Sequence, residues 1–166
     1  MTDFDFDRFL QLPRLSALRL APDGRRLVVA VAGPDPEGKK MRSALWQVDP
    51  AGEAPPRRLT RSAAGEAGGA AFLPDGTLLF TSSRPDPDVK PDPYRTVHAL
   101  WALPPDGGEA RLLVAPDGGV DGVEVARSAP VVAFGAGMFP GAADFAADAE
   151  RAKARREAGV GALLFE

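Results

Sequence analysis

Leu20-Ala-Pro-Asp-Gly-Arg-Arg-Leu-Val-Val-Ala-Val31 and Phe72-Leu-Pro-Asp-Gly-Thr-Leu-Leu-Phe-Thr81 decide the fold. Each is an apolar lead, a Pro-Asp-Gly turn and a second apolar run. The two turn triplets stand 52 residues apart. Ala44-Leu-Trp-Gln-Val48 returns as Ala99-Leu-Trp-Ala-Leu103 at an offset of 55, and Arg58-Leu59 returns as Arg111-Leu112 at an offset of 53. Three landmarks in one order at a nearly constant spacing are an internal repeat. A third copy begins at Val123, where Ala129-Pro-Val-Val-Ala-Phe134 takes the place of the turn and its apolar run, with the triplet eroded.

Each copy holds four strand candidates, in the second copy roughly 69–73, 77–83, 96–103 and 110–115. Pro-Asp-Gly joins the first two. Proline presets φ, aspartate bonds its own backbone two residues on, and glycine takes the positive φ. Pro105-Asp-Gly-Gly108 joins the last two in the same way, and Asp49-Pro-Ala-Gly52 does so in the first copy. Val97, Ala99, Trp101 and Leu103 share a face at period two. Leu27-Val-Val-Ala-Val31 and Val131-Val-Ala-Phe134 are continuous apolar runs, the pattern of strands covered on both faces. Four antiparallel strands repeating at about fifty residues are the mark of a β-propeller blade.

The connections between second and third strands are Gly33–Arg42, Arg84–Arg95 and Met138–Gly159, all expected on one rim of the disc. The first two are rich in proline and charge and are expected to be exposed. The third contains a helix over 144–158, with Asp144 as N-cap and Gly159 as its stop. Asp148/Arg151, Glu150/Lys153 and Lys153/Glu157 stand at helical pair spacings. The helix has few large apolar residues and is expected to lie on a surface. The expected division is a helical lead-in over 1–15, blade one over 16–61, blade two over 62–119, and a partial blade three over 120–166.

Composition narrows the function classes. Twenty basic and 23 acidic residues give a net charge of −3, against the basic excess of a nucleic-acid binder. Gly and Pro together number 35 of 166, which suits short strands and tight turns better than a helical bundle. The chain has no cysteine and one histidine, leaving no thiol chemistry and few metal ligands. No apolar run approaches the ~18 residues that span a bilayer. The acidic start, Met1-Thr-Asp-Phe-Asp-Phe-Asp7, does not resemble a secretory signal, so a cytoplasmic location is expected.

A propeller needs at least about four blades to close its ring, and this sequence supplies two and part of a third. Val160-Gly-Ala-Leu-Leu-Phe-Glu166 reads as an outer-blade strand interrupted partway. These residues are therefore expected to be the amino-terminal part of a longer polypeptide, the rest of which is either a separate chain after cleavage or deleted. The alternative is closure of one ring by several short chains.

The order of features is similar to that of a known family. Phe6-Asp-Arg-Phe-Leu-Gln-Leu-Pro-Arg-Leu15 leads into the first repeat, followed by Ala44-Leu-Trp-Gln-Val-Asp49 and Arg57-Arg-Leu-Thr60. This resembles the start of prolyl oligopeptidase family serine peptidases, in the acylaminoacyl peptidase and dipeptidyl aminopeptidase branch. Asp148-Ala-Glu-Arg-Ala-Lys-Ala-Arg-Arg-Glu-Ala-Gly-Val160 resembles a helical insertion of bacterial members. The resemblance implies an α/β-hydrolase domain following the propeller, a Ser-Asp-His system on that domain, short peptide substrates, and often a homo-oligomer. It implies no cofactor, metal, nucleic acid or membrane. The present chain has no Gly-x-Ser-x-Gly elbow. Ser16, Ser43, Ser62, Ser82, Ser83 and Ser128 stand in strand or loop contexts, so no catalytic residue carries over. The share implied for this portion is access control. The alternative is a non-catalytic TolB-like propeller that serves as a protein-interaction platform; a sugar- or metal-binding propeller enzyme has weaker support.

The remaining candidates read as structural. His98 would need a nucleophile and an orienting acid nearby to act as a base; packing between blades or at the rim is expected. Asp3-x-Asp5-x-Asp7 opens like a calcium loop, but Arg8 and Arg14 stand where Gly and Glu are required. Asp86, Asp88 and Asp92, with Lys90, are expected in a stiff exposed loop. Arg151, Lys153, Arg155 and Arg156 are offset by Asp148, Glu150 and Glu157, which argues against phosphate binding. Trp46 and Trp101 occupy equivalent positions and are expected to pack between blades.

Overall fold

The computed structural model describes residues 4–62, 64–89, 97–129 and 131–161. The chain forms two four-stranded antiparallel sheets and a two-stranded one. After helix α1 (Phe6–Gln11), strands β1 (Arg14–Leu20), β2 (Leu27–Pro34), β3 (Met41–Val48) and β4 (Arg57–Arg58) make the first sheet in chain order. Strands β5 (Glu66–Phe72), β6 (Leu78–Ser82), β7 (Ala99–Leu103) and β8 (Arg111–Val114) make the second. Strands β9 (Gly118–Val125) and β10 (Val132–Gly137) begin a third, followed by helix α2 (Phe145–Glu157). The first strands of the three sheets lie side by side, β1 against β5 and β5 against β9. These are two blades and part of a third of a propeller, with one inserted helix.

The turn triplets act as their chemistry requires. Asp75 accepts from the Thr77 amide at 2.9 Å, and Asp23 accepts from the Arg25 amide at 2.9 Å. Gly24 and Gly76 sit at φ of 71° and 84°, a region that side chains with a Cβ rarely adopt. The first hairpin is one residue longer. Ala21 bonds across to Arg26, whereas Leu73 bonds to Thr77.

Blade two shows why its strands are apolar at every position. In β6, Leu78 and Phe80 face blade one, where they meet Val28, Ala30 and Leu45. Leu79 faces the other way and packs with Leu100, Ala102, Val120 and Val123 at the third sheet. All five residues of β6 and all five of β7 are buried. Each fully buried Leu or Phe contributes about 1.5–3 kcal/mol. Trp101 packs on the side toward blade one and is 2% exposed, as its repeat position suggested. Its counterpart Trp46 is only half-buried.

Several sequence expectations shift. The lead-in is helical only to Gln11, because Pro13 follows directly and Arg14 already pairs with Ala32. Gly33–Arg42 is not wholly a loop. Gly33 pairs with Arg42 and Pro34 with Met41, so the hairpin runs outward to a short turn around Gly38. Asp35 stabilises that turn by accepting from the Lys39 amide. The third sheet begins at Gly118, ahead of Val123; its first residues are glycines, which give no apolar alternation to read. His98 precedes β7 and is exposed. The expected strand at Val160-Gly-Ala-Leu-Leu-Phe-Glu166 lies largely outside the described residues, as do Asp3, Lys90, Asp92 and residue 96.

Helix α2 has the predicted cap. Asp144 accepts from the Ala147 amide at 2.8 Å, and Gly159 follows the helix at φ 67°. Its predicted side-chain pairs do not form. Asp148 turns inward and is 2% exposed, accepting from the Phe139 amide at 2.6 Å. Arg151 donates to the carbonyls of Pro140 and Gly141, and Arg155 lies over the Phe139 ring. Among the described residues Lys153 pairs with neither Glu150 nor Glu157. Backbone groups of the 139–141 segment take these side chains, the Phe139 amide holding Asp148 and the Pro140 and Gly141 carbonyls holding Arg151, and such bonds outweigh an exposed ion pair.

Candidate functional site

Where the inner strands meet, the sheets leave an open cavity of about 550 Å³. Its walls follow from the glycines within the inner strands. Gly69 of β5 and Gly118, Gly119 and Gly122 of β9 carry no side chains to fill the space, so backbone lines it. A Cβ on Gly69 would sit 3.4 Å from the Thr81 hydroxyl and methyl. A Cβ on Gly118 would fall inside the Gly137 carbonyl, so β9 and β10 approach there as only glycine permits.

Four charged or titratable groups ring the cavity. Arg19 reaches in from blade one, where a bulge sets Ala17 and Leu18 opposite Val29 alone. Ala17 holds φ 50° at this bulge. Arg19 approaches Glu124 of the third sheet at 3.9 Å, both exposed. Such a pair contributes about 0–1 kcal/mol. Asp121 and His98 complete the set. The His98 carbonyl accepts from the Val120 amide at 2.6 Å, which ties the start of blade three to the segment before β7.

His98 therefore stands at the rim, in contact with the cavity. The side-chain hydroxyl that lines the cavity with it belongs to Thr81, which is buried in β6. Ser43 and Ser82 serve structure. Ser43 bridges to the backbone of Glu66, and Ser82 donates to the Gly65 carbonyl. Asp5 caps α1 by accepting from the Arg8 amide, and Asp86 accepts from the Asp88 amide in a turn. Among the described residues no three His, Cys, Asp or Glu side chains are placed to hold a metal ion. No helix of the described residues is long and apolar enough to cross a membrane. The cavity offers hydrogen-bonding backbone and both signs of charge, a surface on which a polar chain could rest.

A second polar group had no signal in the sequence. Glu66 is buried at the start of β5, where Arg84 donates to its Oε1 at 2.5 Å. The Arg84 guanidinium lies 5.0 Å from the Phe80 ring centre and 5.3 Å from that of Trp101. Glu66 Oε2 and Trp101 Nε1 are buried without a hydrogen-bond partner. The pair lies between blades one and two and is held by Ser43 of blade one. The neighbouring sequence, Ala-Gly-Gly-Ala, does not separate this glutamate from a surface one.

No protein-family model matches the chain, and no curated protein matches it.

Proposed function

We propose that this chain is the amino-terminal propeller portion of a cytoplasmic serine peptidase of the prolyl oligopeptidase family. In this reading it controls the access of short or amino-terminally blocked peptides to a catalytic domain outside these residues. The observation that carries the reading is the inner-strand cavity. It is polar and open, lined by inner-strand backbone and by charges of both signs, and in this reading it forms part of the wall of the access path. The repeat, the lead-in segment and the helical insertion support the family. The partners are the remaining propeller and an α/β-hydrolase portion of the same protein, assembled as a homo-oligomer.

Bond making then belongs elsewhere. In such an enzyme a serine on the hydrolase domain attacks the peptide carbonyl, and oxyanion donors stabilise the tetrahedral intermediate. The blades exclude large substrates by leaving only a narrow path. A fluorophosphonate probe, which phosphonylates an activated serine with loss of fluoride, tests this directly. The 166-residue chain is expected to remain unlabelled, and the complete gene product to be labelled outside residues 1–166. Labelling within this chain would overturn the assignment of roles. A complete gene product without a reactive serine would favour the interaction-platform reading instead.

A further inference from the structure

Gly65 and Gly119 hold the same place in successive blades. A Cβ on Gly65 would meet the Ser43 backbone at 3.4 Å, and one on Gly119 the His98 backbone at 3.6 Å. Ser43 and His98 each stand directly before an Ala-Leu-Trp repeat. The residue after each glycine ties its blade to the one before. The Glu66 amide donates to the Ser43 hydroxyl, and the Val120 amide to the His98 carbonyl. Glu66 and Val120 are therefore equivalent, and both are buried, at 4% and 5% exposure. The fold accepts a valine here in blade three, so it does not require the carboxylate that blade two carries.

Burying a carboxylate with a guanidinium is costly unless their remaining polar atoms are also hydrogen-bonded. Glu66 Oε1 accepts from Arg84, but among the described residues neither Glu66 Oε2 nor Trp101 Nε1 has a protein partner. Both side chains adjoin the Arg84 guanidinium, one through a 2.5 Å bond and the other with its ring centre 5.3 Å away. The indole N–H can only donate, and the carboxylate oxygen accepts. A molecule that accepts from the first and donates to the second satisfies both, and water does so. Arg84 also lines an open slot of about 400 Å³, between Leu59, Thr60 and Arg61 of blade one and Gly108, Glu109 and Ala110 of blade two. The slot brings solvent to the guanidinium. Trp101 and the Glu66 side chain are too enclosed, at 2% and 0% exposure, to meet a larger ligand.

We propose that one internal water molecule is bound between blades one and two, accepting from Trp101 Nε1–H and donating to Glu66 Oε2. Arg84 gives its Nε–H to the Ser82 hydroxyl and has further N–H groups to turn toward the same water. The site lies wholly within the interface of these two blades. It needs neither the rest of the propeller nor a catalytic domain.

The test is magnetisation transfer between water and the Trp101 indole proton, followed by NMR in the 166-residue chain carrying Trp46→Phe, so that one indole signal remains. The expected result is a cross-peak of opposite sign in the laboratory and rotating frames, which marks a bound water and not proton exchange. It is expected to be lost in Glu66→Val/Arg84→Leu, where blade two takes the blade-three residue and the ion pair is gone. A crystal structure of the parent chain is expected to place a water within hydrogen-bond distance of both Trp101 Nε1 and Glu66 Oε2. No dipolar cross-peak in the parent, or no water on both atoms in the crystal, overturns the proposal. So does a cross-peak that survives in the double variant, since the water would then not depend on Glu66. If the double variant does not fold, the parent spectrum and the crystal decide.

Discussion

At the scale of single residues, glycines and turn aspartates do most to fix the backbone. Gly118→Ala places a methyl group inside the Gly137 carbonyl, and neither backbone can yield without breaking the β9–β10 pairing. Strain of this kind costs about 1–3 kcal/mol, so the variant is expected to unfold at lower denaturant. Gly38→Ala, where a Cβ would meet nothing, is expected to cost only the strain of its positive φ. Asp49 and Asp75 give a pH signature. The amides of Ala51 and Ala54 hold the Asp49 carboxyl below its ordinary value, and the amide and hydroxyl of Thr77 do the same for Asp75. A carboxylate with a depressed folded pKa contributes stability above the unfolded value, and that stability is lost as pH falls through the folded pKa. The loss is therefore expected below the ordinary carboxylate pKa of 3.8. Urea midpoints measured from neutral pH into acid should fall more steeply for the parent chain than for the Asp49→Asn/Asp75→Asn double variant. Asp75 was legible because Asp-Gly turns have a known mechanism, and Asp49 because it opens the Asp49-Pro-Ala-Gly52 turn. Gly118 was not, because a close approach of two strands leaves no mark on either one alone.

At the scale of elements, α2 shows what spacing can and cannot say. Its start and stop were legible from Asp144 and Gly159, since a cap is a local event. Asp144→Ala should lower stability by about 1 kcal/mol, and Asp144→Ser should restore most of it; thermal unfolding followed by circular dichroism checks both. The helix's partners were not legible. Asp148 and Arg151 stand at ideal pair spacing, yet each binds the backbone of the 138–141 segment, which the insertion itself folds beneath the helix. The hairpin β2–β3 makes the same point. Proline and charge around Asp35 suggested an open loop, but strand pairing persists to Pro34 and Met41, beyond the Arg14–Ala32 pair where the β1 ladder ends, so the proline interrupts no ladder to a further strand.

At the scale of the whole molecule, the repeat was legible and the cavity was not. Continuous apolar runs such as Leu27-Val-Val-Ala-Val31 told of strands covered on both faces, and the strands of blade two are covered so. The Glu66–Arg84 pair and the glycine-lined cavity arise only once sheets stand next to each other. Stacking makes stability a sum of blade terms and interface terms, and the two tryptophans report on the interfaces separately. Trp101 fills the interface of blades one and two, while Trp46 holds the same position on the open side. Trp101→Ala should therefore cost about 3–5 kcal/mol, and Trp46→Ala much less in this chain.

The stacking of blades is the claim on which the access role and the internal water site both depend. Single-tryptophan variants, Trp46→Phe and Trp101→Phe, tested with acrylamide quenching, address it most directly. The account predicts that Trp101, left alone, emits at shorter wavelength and resists the quencher, while Trp46, left alone, is readily quenched. Equal accessibility of the two, or a protected Trp46 with an exposed Trp101, would contradict it.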